Sequence, residues 1–194
     1  MNGCRIPVLL MAAFAVLSGC TGIPSGIRAV GSFDAQRYQG TWYEIARLDH
    51  RFERGLTHVS ATYTPRDDGG VSVVNRGYDT KNGRWENIRG RACPLESKGE
   101  GRLKVSFFWP FYGAYNVIAL DHEDYSYAMV CGPSRNYLWL LSRKPYLPAE
   151  MLDPLVAKAR ELGFPTADLI FVPQQNPPDL KIKEKEPCPS NPTF

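Results

Sequence analysis

The sequence predicts an all-β fold, a sandwich or a barrel, on three observations. From Gly40 onward, short runs alternate apolar and polar residues with period two. Clusters rich in Gly, Asp, Asn and Pro (RDDGG, DTKNG, ESKGEG, DHED and GPSRN) interrupt those runs at regular spacing, as tight turns require. Helical periodicity replaces alternation in one late stretch, LPAEMLDPLVAKARELGF.

The elements follow in chain order. Residues 1–19 carry one side-chain cation, Arg5, and an apolar run from Ile6 to Leu17. Such a run suits a signal-peptide core and is too short to span a bilayer as a helix. It ends in Leu17-Ser18-Gly19-Cys20, which resembles the lipobox of bacterial lipoproteins, where the leader is cut before a cysteine that is then acylated. The expectation is a leader over 1–19 and a lipidated Cys20 opening a tether over 20–32. Residues 21–31 have little to bury, and about ten residues at ~3.3–3.6 Å each would reach roughly 35 Å. Thr21 after the cysteine resembles the sorting signal for the outer membrane, facing the periplasm.

Eight strands are expected over 42–49, 58–64, 71–78, 84–93, 103–108, 115–120, 125–131 and 137–143. Between the fifth and sixth lies FFWPFYG, residues 107–113, which crowds aromatic rings around a proline at a bend. Bends sit at the surface, so these rings are either buried in the fold or line an entry for something apolar. In the helical stretch Met151, Leu152, Leu155, Val156, Ala159 and Leu162 share one face, with Gly163 as the stop. Pro154 either kinks this helix or occupies its first turn behind a capping Asp153. A ninth strand is expected over 168–172, and the proline-rich, charged residues 174–194 read as a disordered tail.

The segment YQGTWYEIARLDH, with its Gly-x-Trp opening the first strand, resembles the signature of the lipocalin family. DHEDYSYAMVCGP and LWLLSRKP sit where that family keeps its other motifs. The segments RFERGL, ATYTPRDDGG and KVSFFWPFYGAYNVIALD extend the resemblance to the family's bacterial outer-membrane lipoproteins, over residues 33–173. It implies an eight-stranded antiparallel up-and-down barrel with one C-terminal α-helix packed outside. It also implies that Trp42 packs against Arg143 to close the narrow end, a cation over an indole face. Fatty acids or lysophospholipids would be the ligands, bound for storage or transport in envelope maintenance. Lipocalins often bridge the tail to the barrel wall, which implies a Cys93–Cys188 disulfide with Cys131 reduced; the residues alone say one bridge and one free thiol.

An eight-stranded barrel has room for one small ligand, and side-chain parity assigns its faces. If Trp42 points inward, so do Glu44, Ala46 and Leu48; Arg143 brings Tyr137, Trp139 and Leu141. Apolar phase adds Ala61, Tyr63, Val73, Asn75, Ile88, Ala92, Leu103, Val105, Phe107, Tyr115 and Val117. FFWPFYG then becomes a mouth lip whose Trp109 and Tyr112 could cover an acyl chain, meet a second copy in a homodimer, or touch a membrane. His50, Arg51 and Arg54 on the neighbouring loop suit a phosphate.

A net charge of +3 without a basic run argues against a nucleic-acid partner. No GxSxG elbow, HExxH or glycine-rich phosphate loop is present, and the cysteine spacings fit no zinc pattern. His50, His58 and His122 have no nucleophile at an interpretable spacing. The expectation is a carrier without metal or cofactor. A lipid-modifying enzyme and a structural lipoprotein with a filled barrel are the competing readings.

Overall fold

A computed structural model of the chain describes residues 21–95 and 99–178. The leader, Cys20, Cys188 and the rest of the tail beyond residue 178 lie outside the described residues. The strands are β1 (Gly40–Arg47), β2 (Leu56–Pro65), β3 (Val71–Asp79), β4 (Arg84–Pro94), β5 (Arg102–Phe108), β6 (Phe111–Leu120), β7 (Tyr127–Cys131) and β8 (Leu138–Ser142). Helix α1 (Ala149–Glu161) and a short β9 (Ile170–Phe171) follow.

Each strand from β2 to β7 pairs antiparallel with the next, β8 pairs with β1, and β1 returns to β2. The eight-stranded barrel with one external helix is therefore borne out. The expected ninth strand shrinks to β9, which lies along the outer edge of β1 opposite Ala46 and Arg47. β6 begins at Phe111 rather than at Tyr115, pairing Phe108 with Phe111. FFWPFYG is thus a hairpin tip with Trp109 and Pro110 at its apex.

Period-two alternation separates two apolar cores. Trp42, Tyr63, Val73, Ala92, Leu103, Val117, Val130 and Leu141 fill the barrel interior. Ala46, Leu48, Ile118, Met129, Leu138 and Leu140 form an outer face covered by Leu155, Ala159 and Phe164 of the helix and its exit. Pro154 lies inside α1 without ending it, and Met151 at the first turn stays exposed. The helix stops at Gly163 (φ 80°), whose N–H bonds the Arg160 carbonyl while Phe164 N–H bonds that of Ala159. Glycine takes this left-handed conformation without strain, and the paired bonds satisfy the last carbonyls.

Both terminal segments depart from expectation. Residues 22–30 pack on the wall: Ile27 is buried under the helix, and Val30 exchanges backbone bonds with Gly101 and Val117. A Cβ at Gly101 would stand 2.8 Å from Val30 and 2.9 Å from Val117, so glycine permits this approach. At the other end, residues 174–178 are tied to the barrel. β1 and β2 pair only from Gly40↔Tyr63 to Tyr43↔Ser60 and then part. Gln174 fills the gap, its Nε2 donating to the carbonyls of Glu44 and Val59 at 2.8 Å each. His58 N–H bonds the Pro173 carbonyl (2.9 Å), and Trp85 Nε1 donates to that of Pro178 (3.3 Å).

Because both carbonyls at this seam belong to buried residues, Gln174→Ala leaves acceptors without donors. The expected loss is about 1–3 kcal/mol in urea unfolding, with the slope unchanged.

Candidate ligand site: the barrel interior and its mouth

The base of the barrel is closed by Trp42, which has no solvent exposure. The Arg143 guanidinium carbon lies 3.9 Å from the centroid of its indole. Arg143 also donates to the carbonyls of Tyr125 (3.3 Å), Thr41 (3.1 Å) and Arg37 (2.7 Å). A partly buried cation so placed gains from the ring and caps three backbone acceptors at once.

Above this base, the Tyr115 hydroxyl bonds those of Tyr38 (2.8 Å) and Tyr63 (2.9 Å). Burial pushes all three phenols above the ordinary tyrosine value, so they stay protonated. The packing here is tight. A cavity of about 10 Å³ among Phe33, Tyr38, Tyr63, Val71, Leu103 and Tyr115 has room for roughly one water.

The upper lumen differs. Ala61, Asn75, Val105, Phe107 and Trp139 face inward yet keep partial exposure, and Ile88, opposite Asn75, is 37 % exposed. Asn75 Oδ1 is buried there without a hydrogen-bond partner.

At the mouth sits a buried charged cluster. Arg47 Nη1 donates to Glu44 Oε1 at 2.6 Å, and Arg47 Nη2 donates to the carbonyls of Glu53 (2.9 Å) and Leu56 (3.1 Å). Glu53 reaches in from the loop to accept from Trp139 Nε1 (3.1 Å) and to contact His50 Nε2 (3.0 Å). Burial and the neighbouring Glu53 carboxyl hold Glu44 well above the ordinary glutamate range, against the pull of Arg47. Burial would raise Glu53 too, but His50 and Trp139 outweigh it and bring its value down.

Several expected site residues lie elsewhere. Between Glu44 and Ala46 the β1–β8 register shifts at a bulge. Beyond it parity inverts: Ala46 and Leu48 face the helix, and Arg47 turns into the barrel. Tyr112 lies on the outer wall, 5.1 Å below the Lys104 ammonium, because it is out of phase with inward Tyr115. Trp109 stands clear of the lumen at 76 % exposure. Arg54 is paired with Asp49 (2.6 Å), and His50 is buried against Glu53, so neither stands free for a phosphate.

Tyr137, like Trp139, packs at the mouth near His50. Cys93 pairs with Lys104 on the outer phase of β4, and Cys131 is buried beneath the helix, its thiol pushed up to about 12. Arg47 and Glu53 had no signal in the alternation. The one hint was the density of charges, EIARLDHRFER, in a segment too apolar at its start to be a solvated loop.

A closed antiparallel calyx with a cation–π base and an external helix defines a class of barrels that hold a small molecule inside. Residues 33–174 match the family model described as a lipocalin-like domain. The chain belongs to the lipocalin family. It is 49 % identical over 168 residues to the outer membrane lipoprotein Blc of Vibrio cholerae, spanning 87 % of this chain and 98 % of that one. To Blc of Escherichia coli K12 it is 52 % identical over 164 residues (84 % and 92 %). To apolipoprotein D of Macaca fascicularis it is 30 % identical over 190 residues (89 % and 97 %). Insecticyanin of the tobacco hornworm shares the fold, with a TM-score of 0.63 at 21 % identity over 78 % of this chain and 86 % of that one. The Blc relatives place the chain among outer-membrane lipoproteins.

The paired carboxyls give a pH signature. A carboxyl raised in the fold binds its proton more readily than in the unfolded chain. Its contribution is therefore complete below the unfolded value and is lost as pH rises through the folded one. Glu44→Gln mimics the protonated acid and is expected to flatten this decline, leaving the variant at least as stable as wild type near pH 8. Glu53→Gln, which unpairs His50, is expected to destabilise at the same pH. Melting temperature against pH reads both.

Proposed function

We propose that the protein binds single-chain lipids, fatty acids or lysophospholipids, in the upper lumen and stores or moves them at the periplasmic face of the outer membrane without chemical turnover. The observation that carries this reading is the row of inward apolar side chains left partly open between a sealed base and a polar mouth. About twelve buried methylenes at ~0.8 kcal/mol each amount to roughly 10 kcal/mol, and ordering costs reduce this to micromolar affinity. Cys20 carries the lipid anchor in this reading, each of its acyl chains adding ~0.8 kcal/mol per buried methylene.

Ala61 packs against the interior core and is only partly buried, so Ala61→Trp should obstruct the lumen. Lysophospholipid affinity is expected to fall at least about tenfold. The melting temperature should shift by only a few degrees. Unchanged affinity would place the ligand elsewhere, and release of free fatty acid from the probe would make the protein an enzyme. For the anchor, Cys20→Ala is expected to leave the membrane fraction in low-detergent buffer; a variant that still sediments with outer membranes refutes it.

A further inference from the structure

Gly22 lies two residues from Cys20. Its carbonyl accepts from Asn116 Nδ2 (3.1 Å), a fully buried side chain of β6 that also reaches the carbonyls of Cys131 and Gly132 (3.4 Å each). Three residues on, the Ser25 carbonyl accepts from Arg135 Nη2 at 2.8 Å, while Ile23 and Ile27 pack in the core under the helix. Residues 22–30 are a strap fastened to the wall. The chain between wall and anchor is then about two residues, ~7 Å, in place of the ~35 Å that a free tether would allow.

The second observation is the lip. Phe108, Trp109 and Phe111 are 65 %, 76 % and 70 % exposed on one hairpin tip. Phe52 on the loop after β1 is equally bare, with the Arg51 guanidinium 4.8 Å from its ring centroid. Exposed aromatic surface of this kind marks an interaction site, and tryptophan and cations settle at the headgroup level of a bilayer. β6 joins the two features: Asn116, which holds the strap, is five residues from Phe111, about 17 Å at ~3.3 Å per residue.

We infer that the lip hairpin Phe108–Phe111 docks on the same membrane that holds Cys20, so that the mouth opens onto a lipid surface at a short, fixed distance. The inference rests on the lipid anchor of the proposed function. A short leash keeps the hairpin at high effective concentration over the bilayer, so even weak insertion persists. The protein is then a surface-bound exchanger, and a lipid chain passes between bilayer and lumen without crossing the periplasm.

The test uses full-length protein purified with its anchor, checked by mass spectrometry and reconstituted in phosphatidylethanolamine–phosphatidylglycerol vesicles containing brominated lipid. The Trp109 signal is the difference between wild type and Trp109→Phe. It is expected to be quenched by about half or more, and a ten-residue Gly/Ser insert between Thr21 and Gly22 should reduce that quenching severalfold while leaving the folded residues untouched. An anchored protein whose Trp109 is not quenched has its mouth turned away, which overturns the inference and leaves the anchor intact. Full quenching with the insert shows that the strap does not set the geometry. Trp109 shielded only in cross-linkable pairs assigns the lip to a second copy. An unmodified Cys20 removes the anchor reading itself, and the mass spectrum separates that failure from the others.

Discussion

At Ile45, β1 carries one more residue than its neighbour β8, and that extra residue sets the chemistry of both faces of the barrel wall. Before it, Trp42 and Glu44 point inward; after it, Arg47 does. Without the bulge, Arg47 would face outward, away from the Glu44 carboxyl it pairs with. Ala46 and Leu48 would leave the outer core that seats Leu155 and Ala159. Next to this irregularity the β1–β2 pairing has already ended at Tyr43, so the Glu44 carbonyl has no partner on β2 and Gln174 takes it. Bulges do this because one unpaired residue breaks the ladder and reverses side-chain parity beyond it.

The barrel divides into a dry base and an open upper half. At the base Arg143, Trp42, Tyr38, Tyr63 and Tyr115 lock together through ring contacts and hydroxyl bonds, leaving space for little more than one water. At the mouth, polar groups are paired but not saturated: Arg47 Nε and His50 Nδ1 are buried without partners. Buried polar atoms in that state favour water or a ligand's polar end over further apolar packing. A small molecule with its apolar part in the lumen and its polar end at Arg47 Nε and His50 Nδ1 would satisfy both halves.

Two terminal segments hold this barrel from outside, each by a side-chain amide that captures main-chain carbonyls. Asn116 holds the N-terminal strap at Gly22, and Gln174 closes the β1–β2 seam. One amide nitrogen carries two donors, which suits a place where paired strands separate and leave acceptors on both sides. The consequence is mechanical. Both ends of the described chain are thereby fastened to the barrel wall.

The sequence by itself determined the number of strands and the single helix with its buried Leu155 and Ala159, while the base pair Trp42–Arg143 was implied by the resemblance to lipocalins. Alternation, turn clusters and a 3.6-residue period are local properties, readable within a few residues of each position. It also marked Tyr63, Val73, Val105, Tyr115 and Trp139 as inward, because their strands keep phase over those residues. Only the tertiary structure decided that Ala46 and Leu48 face the helix, that Arg47 enters the lumen with Glu53, and that Tyr112 lies outside under Lys104. It alone revealed that residues 22–30 and 174–178 are fastened rather than free. Those outcomes depend on a register shift and on hydrogen bonds between segments up to 130 residues apart. A register is settled by which two strands meet, and a carbonyl left over by that meeting exists only once the barrel has closed.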